Sequence, residues 1–229
     1  MFSKLFTLDN SKYSSLSLNE NSTQIEINKW EASRFVVEKL VPITGYSPYP
    51  LDELIMMVGS VCRFNPTHIF EWGTHIGKSA RIFYETIQNF KINAEVYSFD
   101  LPDESEHVEH PHGLRGKLVK GLKGVHLYQE DGLVKSIEIF RSSSIENKRA
   151  LFYVDGDHSY ESVYKELLTI LSTVPEAIVL LHDTFYQSYE SNYNIGPNLA
   201  INDVLNNLPA VFNRIDTQLG LPGMTLIYK

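Results

Sequence analysis

Cysteine is almost absent from this sequence. Cys62 is the single cysteine among 229 residues, and it lies in an apolar helical pattern. One thiol can form neither an intrachain disulfide nor a metal cluster built from several thiolates. Small disulfide-stabilised domains and cysteine-rich zinc proteins are therefore excluded as classes.

Long apolar runs and an excess of basic residues are missing as well. No run approaches the roughly 18 apolar residues of a membrane-spanning helix, and Lys4 interrupts the N-terminus too early for a secretory signal. The formal net charge is −8, and the densest basic run, residues 115–123, holds only four cations. Such a charge repels nucleic-acid phosphates. We expect a soluble, cytoplasmic protein with neither a nucleic-acid nor a membrane partner.

The chain is long enough for one sizeable core and short for two complete domains. Residues 1–45 form a predicted extension, whose first part is rich in Ser and Asn and shows no sustained period. It is either a flexible arm or a segment that orders against a partner subunit, which makes a homo-oligomer possible. Within it, apolar spacing from Trp30 predicts a short helix that ends at Pro42. Residues 46–229 form the predicted domain.

Strand-like apolar runs alternate with amphipathic helical patterns along that domain. Five such alternations are followed by two strand-like segments, 211–217 and 224–228, separated by Gly-Leu-Pro-Gly. This order predicts an α/β fold with a doubly wound, mostly parallel, Rossmann-like sheet and a C-terminal antiparallel hairpin. Ligands bind such sheets at the carboxyl ends of the strands.

Two of the apolar runs end in acidic and imidazole side chains. The first is followed by Asp155-Gly-Asp-His-Ser159 and the second by His182-Asp183-Thr184. If the two strands are neighbours, five polar side chains converge at one sheet edge: Asp155, Asp157, His158, His182 and Asp183. Oxygen and nitrogen donors of this kind predict a site for a hard or borderline divalent cation.

A second informative stretch runs from Glu71 to Ser79, where a short strand leads through a glycine-containing loop into a helix. Gly73 and Gly77 are four residues apart, which is not the spacing of the dinucleotide fingerprint. The glycines allow close approach of a ligand to the backbone, and the helix N-terminus can bind an anionic group. Asp100 ends the next strand, where a carboxylate can accept both hydroxyls of a ribose.

These motifs, in this order, resemble the class I S-adenosylmethionine-dependent methyltransferases. They are most similar to the metal-dependent small-molecule O-methyltransferases that group with macrolide sugar O-methyltransferases and cephalosporin-hydroxylase-like proteins. The resemblance covers residues 50–229 and implies a seven-stranded sheet. It implies S-adenosylmethionine and a divalent metal as cofactors, with Mg²⁺ first and Mn²⁺ as an alternative. It also implies a hydroxylated small molecule, a sugar or a secondary metabolite, as methyl acceptor.

The resemblance further implies roles for individual residues. Its cofactor-binding positions are Glu71, Gly73, Gly77, Ser79, Asp100, Asp131 and Asp155. Its metal positions are Asp155, His182 and Asp183. The family carries an acidic residue where this chain has His182, so this imidazole is either a ligand or a base.

Several alternatives stay open at this point. Asp157 or His158 is placed to take a proton from the acceptor, whereas Asp157 or Ser159 can also cap the next helix. Asp131 suits a turn as well as a binding site. The His- and Glu-rich residues 101–124 form a lid or a second metal site. For the whole protein, the alternatives are a catalytically inactive or hydroxylase-like pathway protein of the same fold and, less favoured, a metal-dependent phosphohydrolase that shares the His-Asp pair.

Overall fold

The structure of the protein is a computed structural model that describes residues 28–102, 112–191, 195–217 and 219–229. Most of the predicted extension and the central part of the His- and Glu-rich segment lie outside these ranges. In the described part of the chain, no helix is both long and apolar enough to cross a membrane.

Seven strands form one sheet in the order β3-β2-β1-β4-β5-β7-β6. β1 to β5 run parallel to one another, and β7 runs antiparallel to both β5 and β6. The predicted doubly wound sheet and its terminal antiparallel hairpin are therefore confirmed. The strands are β1 (His68–Trp72), β2 (Glu95–Asp100), β3 (Val125–Gln129), β4 (Ala150–Val154), β5 (Ile178–His182), β6 (Asn213–Asp216) and β7 (Met224–Tyr228).

Helices cover both faces of the sheet, and each face has its own apolar core. The N-terminal helices pack with α3 and α4 on one face, and α5, α6 and α7 cover the other. β1, β4 and β5 are buried along their whole length, as expected for central parallel strands. The longer helices are α3 (Leu51–Phe64), α4 (Lys78–Phe90), α5 (Gly132–Ser142), α6 (Tyr160–Thr173) and α7 (Gly196–Asn207).

The predicted helix end at Pro42 is wrong. The helical segment consists of α1 (Lys29–Phe35), a π-helical turn (Val36–Leu40) and α2 (Val41–Thr44), so it continues past the proline. Pro42 closely follows the π-helical turn, where the regular hydrogen-bond ladder of the helix is already altered and a residue without an N–H can be accommodated. The buried side chains of Phe35, Val36 and Leu40 join this segment to the core of the domain. The boundary proposed at residue 45 stays a prediction.

The register of β4 and β5 determines where the polar residues that follow these strands lie. Val154 is aligned with Leu181, so the residues that follow the two strands emerge at the same sheet edge. β1 lies on the other side of β4, with Trp72 aligned with Val154. Because the three strands are parallel and adjacent, the loop after β1 and the polar ends of β4 and β5 meet above the middle of the sheet.

Candidate active site

A cavity of about 1390 Å³ opens above the carboxyl ends of these strands. It reaches from the loop after β1 to the polar residues after β4 and β5, and to the start of α5. Of the residues proposed from the sequence, most contribute to its wall: Gly73, Ser79, Asp100, Asp131, Asp155, Asp157, His158, His182 and Asp183. Two do not reach its surface, since Glu71 and Gly77 are buried beneath it.

The glycines of the first loop are needed for close packing. Gly73 has φ +100°, and a Cβ there would lie 2.3 Å from the carbonyl oxygen of Asp155. Gly77 has φ +83°, and a Cβ there would lie 2.8 Å from Val119. Only glycine fits either position. The loop can therefore lie directly against the residues that follow β4, and Ser79, in the first turn of α4, lines the cavity wall.

Glu71 lies below this loop and is completely buried. Its Oε1 accepts a hydrogen bond of 2.6 Å from the hydroxyl of Ser98, which is 2.7 Å from the hydroxyl of Thr74. Its buried Oε2 has no hydrogen-bond partner among the residues that the structure describes. Burial raises the pKa of Glu71 to about 7, since the neighbouring hydroxyls of Ser79 and Ser98 offset only part of the loss of water and the charges of Asp155 and Asp100 add to the rise. Glu71 thus supports the loop from beneath.

Asp100 ends β2 at the cavity wall and is held on both oxygens. Oδ1 accepts from the amide of Leu101 at 2.9 Å, and Oδ2 accepts from Arg115 Nε at 3.0 Å and from the amide of His75 at 3.3 Å. Asp131 lines the cavity and also caps α5, where its Oδ1 accepts from the amide of Val134 at 3.1 Å. Asp131 is therefore a helix cap that also lines the cavity, and its binding role stays a prediction.

The ends of β4 and β5 form a compact cluster of carboxylates and imidazoles. His182 Nδ1 lies 3.0 Å from Asp155 Oδ1 and 3.5 Å from Asp183 Oδ2. His158 Nε2 lies 3.4 Å and 3.3 Å from the same two oxygens. Two carboxylate oxygens and two ring nitrogens thus face one another at the distances that separate the ligands of one metal ion. Four of the five side chains predicted to converge do so, whereas the carboxylate of the fifth, Asp157, binds Ser159 instead.

Asp155 is the centre of this cluster. Its Oδ2 accepts from the hydroxyls of Tyr49 at 2.8 Å and of Tyr153 at 3.0 Å, while Oδ1 faces the two imidazoles. Burial alone would raise the pKa of Asp155, but the positive charges and hydrogen bonds of His182 and His158 outweigh it and lower this pKa. The carboxylate is consequently held in its charged form.

The pKa values of the two imidazoles are raised, whereas that of Asp155 is lowered. Burial by itself lowers the pKa of His182, yet Asp155 and the neighbouring carboxylates raise it well above its usual value. Burial also lowers the pKa of His158, and the hydrogen bond to Asp155 and the charge of Asp183 raise it overall. The carboxylates thus favour the protonated, positively charged form of both rings.

Backbone geometry supports the position of Asp183. This residue has φ +56°, in the left-handed region that non-glycine residues seldom adopt. The next two amides, of Thr184 and Phe185, donate to the carbonyls of Gly223 and Pro222 at 3.1 Å each. These contacts with the turn before β7 hold the strained residue in place, so its side chain turns toward Asp155.

Asp157 and His158 separate in their roles. Asp157 accepts from both the amide and the hydroxyl of Ser159, at 2.9 Å and 3.0 Å, and Ser159 in turn caps α6. His158 points to the carboxylates of Asp155 and Asp183. Ser159 is therefore the helix cap, and Asp157 stabilises the turn that presents His158.

The residue that sequence reasoning missed is Glu53, from α3. It is 2% exposed, and its Oε2 lies 3.1 Å from His182 Nε2 while its Oε1 accepts from the amide of Gly223 at 2.8 Å. A signal was present, because Glu53 shares a helical stripe with the apolar residues Met57 and Val61. A carboxylate on a buried stripe requires a partner. Tyr49 and Tyr153 gave no comparable signal.

The donor set suits a divalent cation. Asp155, His182 and Asp183 each offer one ligand atom, and these atoms lie within 4.8 Å of one another. Two carboxylate oxygens and one imidazole nitrogen are ligands for Mn²⁺ and other first-row ions, and are less typical of Mg²⁺. At the other end of the cavity, α4 begins without a side-chain cap, so its first amides can bind a carboxylate beside Ser79.

Comparison with known structures gives the same fold. A methyltransferase of Podospora anserina bound to S-adenosylhomocysteine has a TM-score of 0.55 at 16% identity, over 98% of this chain and 97% of that one. An O-methyltransferase of Bacillus cereus, also bound to S-adenosylhomocysteine, has a TM-score of 0.54 at 14% identity, over 96% of this chain and 97% of that one. CalS11, a TDP-rhamnose 3′-O-methyltransferase of calicheamicin biosynthesis, has a TM-score of 0.54 at 16% identity, over 86% of each chain.

Sequence comparison assigns the family. No curated protein is significantly similar to this chain in sequence. The family model described as "Methyltransferase domain" matches residues 70–184, from β1 to the residue after Asp183, which is half of the 229 residues. That segment contains the glycine loop, Asp100, Asp155 and the His182-Asp183 pair. The chain therefore belongs to this methyltransferase family.

Proposed function

We propose that this protein transfers the methyl group of S-adenosylmethionine to a hydroxyl oxygen of a small molecule, with a divalent cation held by Asp155, His182 and Asp183. The observation that carries the proposal is the position of these three ligand atoms, within 4.8 Å of one another at the wall of the cavity that Gly73 and Asp100 also line. A donor site and a cation site that share one cavity suit the activation and methylation of a hydroxyl.

Residues on the β1 and β2 side hold the methyl donor in this proposal. The first amides of α4 and the hydroxyl of Ser79 bind its carboxylate, and Asp100 accepts hydrogen bonds from the ribose hydroxyls. Asp131 lies where the nucleobase amine can donate to it. Gly73 lets the donor approach the backbone, while Glu71 and Gly77 act from beneath by fixing the loop.

The chemistry at the β4 and β5 side is hydroxyl activation. A divalent cation bound there would lower the pKa of an acceptor hydroxyl and orient it. In the transfer, the bond between the methyl carbon and the sulfonium sulfur breaks as the bond to the acceptor oxygen forms, and the thioether product leaves. The chain's contribution is mainly to hold oxygen and methyl carbon in line.

His158 is the residue to which we assign the hydroxyl proton. Its Nε2 faces the cavity beside Asp155 and Asp183, whose charges raise the pKa of His158 and so stabilise the imidazolium that forms. Asp157, the other candidate from the sequence, already accepts two hydrogen bonds from Ser159. His182 is enclosed by carboxylates on both ring nitrogens, which favours a ligand role over a base role.

The alternatives are less well supported. Histidine–aspartate phosphohydrolases are all-helical, whereas here His182 ends a strand of a parallel sheet. A catalytically inactive protein of this fold would have no need for three converging ligands and a neighbouring base. A hydroxylase-like activity could use the same ligands, but the family match is to methyltransferases. For the acceptor, we favour a sugar or another molecule with adjacent hydroxyls, because a cation can orient two such oxygens at once.

Calorimetric titration with S-adenosylmethionine, with and without Mg²⁺ or Mn²⁺, tests the proposal. We expect donor binding in both conditions, and formation of S-adenosylhomocysteine only with a metal and an acceptor from a panel of catechols and nucleotide-linked sugars. The variant Asp155→Ala plus Asp183→Ala should retain donor binding and lose turnover. Absence of donor binding at millimolar concentration would refute the proposal, and binding without turnover of any acceptor would favour the inactive alternative.

A further inference from the structure

Glu53 reaches the cluster at β4 and β5 from a distant part of the chain. It lies in the first turn of α3, 129 residues before His182, and is 2% exposed. Each of its oxygens has one partner: Oε2 lies 3.1 Å from His182 Nε2, and Oε1 accepts from the amide of Gly223 at 2.8 Å. The family match, residues 70–184, does not include it.

The chemistry of these contacts fixes the protonation pattern of one ring. A carboxylate can only accept, so the His182 nitrogen that faces Glu53 must carry the hydrogen. The other nitrogen, Nδ1, faces Asp155 Oδ1 at 3.0 Å and Asp183 Oδ2 at 3.5 Å. Without a cation, both nitrogens face carboxylates and both can carry a hydrogen. A cation bound between Asp155 and Asp183 would take the lone pair of Nδ1, which leaves the single proton of the neutral ring on Nε2, where Glu53 accepts it.

A lone pair directed at two anionic oxygens is unfavourable unless a cation lies between them. We propose that Glu53 is the positioning residue of the metal site: it accepts the Nε2–H of His182 and thereby makes Nδ1 the ligand atom for a divalent cation. The inference rests on the proposed metal site of the preceding section and assigns His182 as a ligand. Metal-binding histidines generally donate their second N–H to a carboxylate or carbonyl in this way.

The geometry also explains why a carboxylate is required at residue 53. Glutamine has the same shape but only one accepting oxygen. It cannot accept from both the amide of Gly223 and His182 Nε2. If its oxygen faces Gly223, its NH₂ group faces Nε2 and demands a lone pair there, which moves the proton to Nδ1. The Glu53→Gln variant thus reverses the ring's tautomer without removing atoms.

The test is metal affinity in the protein without donor or acceptor. Mn²⁺ binding is measured by the loss of the free-ion electron paramagnetic resonance signal, with Asp52→Asn as the matched control from the same turn of α3. We expect Glu53→Gln to bind Mn²⁺ about 10–100-fold more weakly than wild type, the usual cost of losing such a partner. The control should bind as wild type. Equal affinities of Glu53→Gln and wild type would overturn the inference.

A second readout does not depend on the variant's fold. Nitrogen NMR of ¹⁵N-histidine-labelled wild-type protein with Zn²⁺, assigned with His182→Gln, reports the tautomer directly. We expect a protonated Nε2 and a metal-shifted Nδ1 at His182. A protonated Nδ1 would overturn the inference. If Glu53→Gln unfolds below the assay temperature, this spectrum alone decides.

Failure of the inference about Glu53 can be distinguished from failure of the proposed function. Wild-type protein that binds S-adenosylmethionine but no divalent ion would refute the metal site itself, and this inference with it. Wild-type protein that binds Mn²⁺ with an affinity insensitive to Glu53→Gln would refute only the role of Glu53.

Discussion

Two carboxylates near the ends of neighbouring strands, Glu71 and Asp155, have pKa values that shift in opposite directions. Glu71 is surrounded by hydroxyls, and its pKa is raised to about 7. Asp155 is half-buried, and burial alone would raise its pKa, but it faces His158 and His182, which lower this pKa below the usual range. Burial by itself therefore does not determine the charge of a carboxylate in this cavity. The partners contributed by other segments do.

This difference in pKa fits the roles proposed for the two residues, Glu71 below the first loop and Asp155 in the metal site. A carboxyl group that supports a loop needs shape and hydrogen bonds, and its charge is dispensable. A carboxylate that holds a cation must stay ionised when the cation is absent. Substitutions at each end should therefore affect different properties, namely folding stability at Glu71 and metal binding with turnover at Asp155.

Asp155→Asn should have the largest effect. Removing the central charge takes away a ligand and leaves His182 and His158 facing a neutral amide, so we expect Mn²⁺ binding to be lost and turnover to fall on the order of 10⁴-fold. S-adenosylhomocysteine formation and Mn²⁺ binding measure this. Asp203→Asn, a carboxylate outside the cavity that binds Tyr160, is the control. Retention of wild-type metal affinity in Asp155→Asn would contradict the assigned role.

His158→Ala should have the next largest effect. It tests whether His158 acts as the proton acceptor or instead contributes to ligand binding. We expect kcat to fall about 10²–10³-fold through loss of the proton acceptor, with donor binding unchanged by calorimetry. His126→Ala, at an exposed imidazole beside Glu95, should leave kcat unaltered. A change in donor affinity that accounts for the whole loss of activity would argue against a base.

Glu71→Gln should change the pH dependence of stability. Because the pKa of Glu71 rises from 4.5 to about 7 on folding, its contribution to stability is fully present below pH 4.5 and is lost as pH rises through 7. The variant lacks this loss and should gain up to roughly 3 kcal/mol relative to wild type between pH 4.5 and 8.5. Urea unfolding at several pH values measures it.

The critical result is whether Glu71→Gln gains or loses stability relative to wild type as the pH rises. An exposed control, Glu161→Gln on α6, should keep the wild-type slope. If Glu71→Gln lost stability as pH rose, the carboxylate would be stabilised in its charged form, and the contrast with Asp155 would disappear.

Tyr49→Phe should have the smallest effect. It removes one of the two hydroxyls that donate to Asp155 Oδ2 and leaves Tyr153 in place. We expect a loss of about 1 kcal/mol in unfolding free energy and a change in Mn²⁺ affinity below about fivefold. Tyr46→Phe, at an exposed ring, is the control. A larger loss of affinity in Tyr49→Phe would show that the tyrosines, rather than the imidazoles, hold Asp155 for the metal.

The sequence by itself determined the strand and helix order, the glycine loop and the polar strand ends. These are local properties, because apolar runs and glycines act through residues close by in the chain. The helix across Pro42 escaped prediction because packing of Phe35 and Leu40 outweighs the local signal of a proline in the first turn of α2.

Only the tertiary structure decided how the cluster is completed. Tyr49 and Glu53 precede the glycine loop, yet they bind Asp155 and His182, more than 100 residues later. The tertiary structure also decides the charge of Glu71 and of Asp155. In the sequence, both are acidic residues near the end of a strand. Desolvation and Coulomb interactions depend on which side chains are brought together in space, and spacing along one chain does not contain that information.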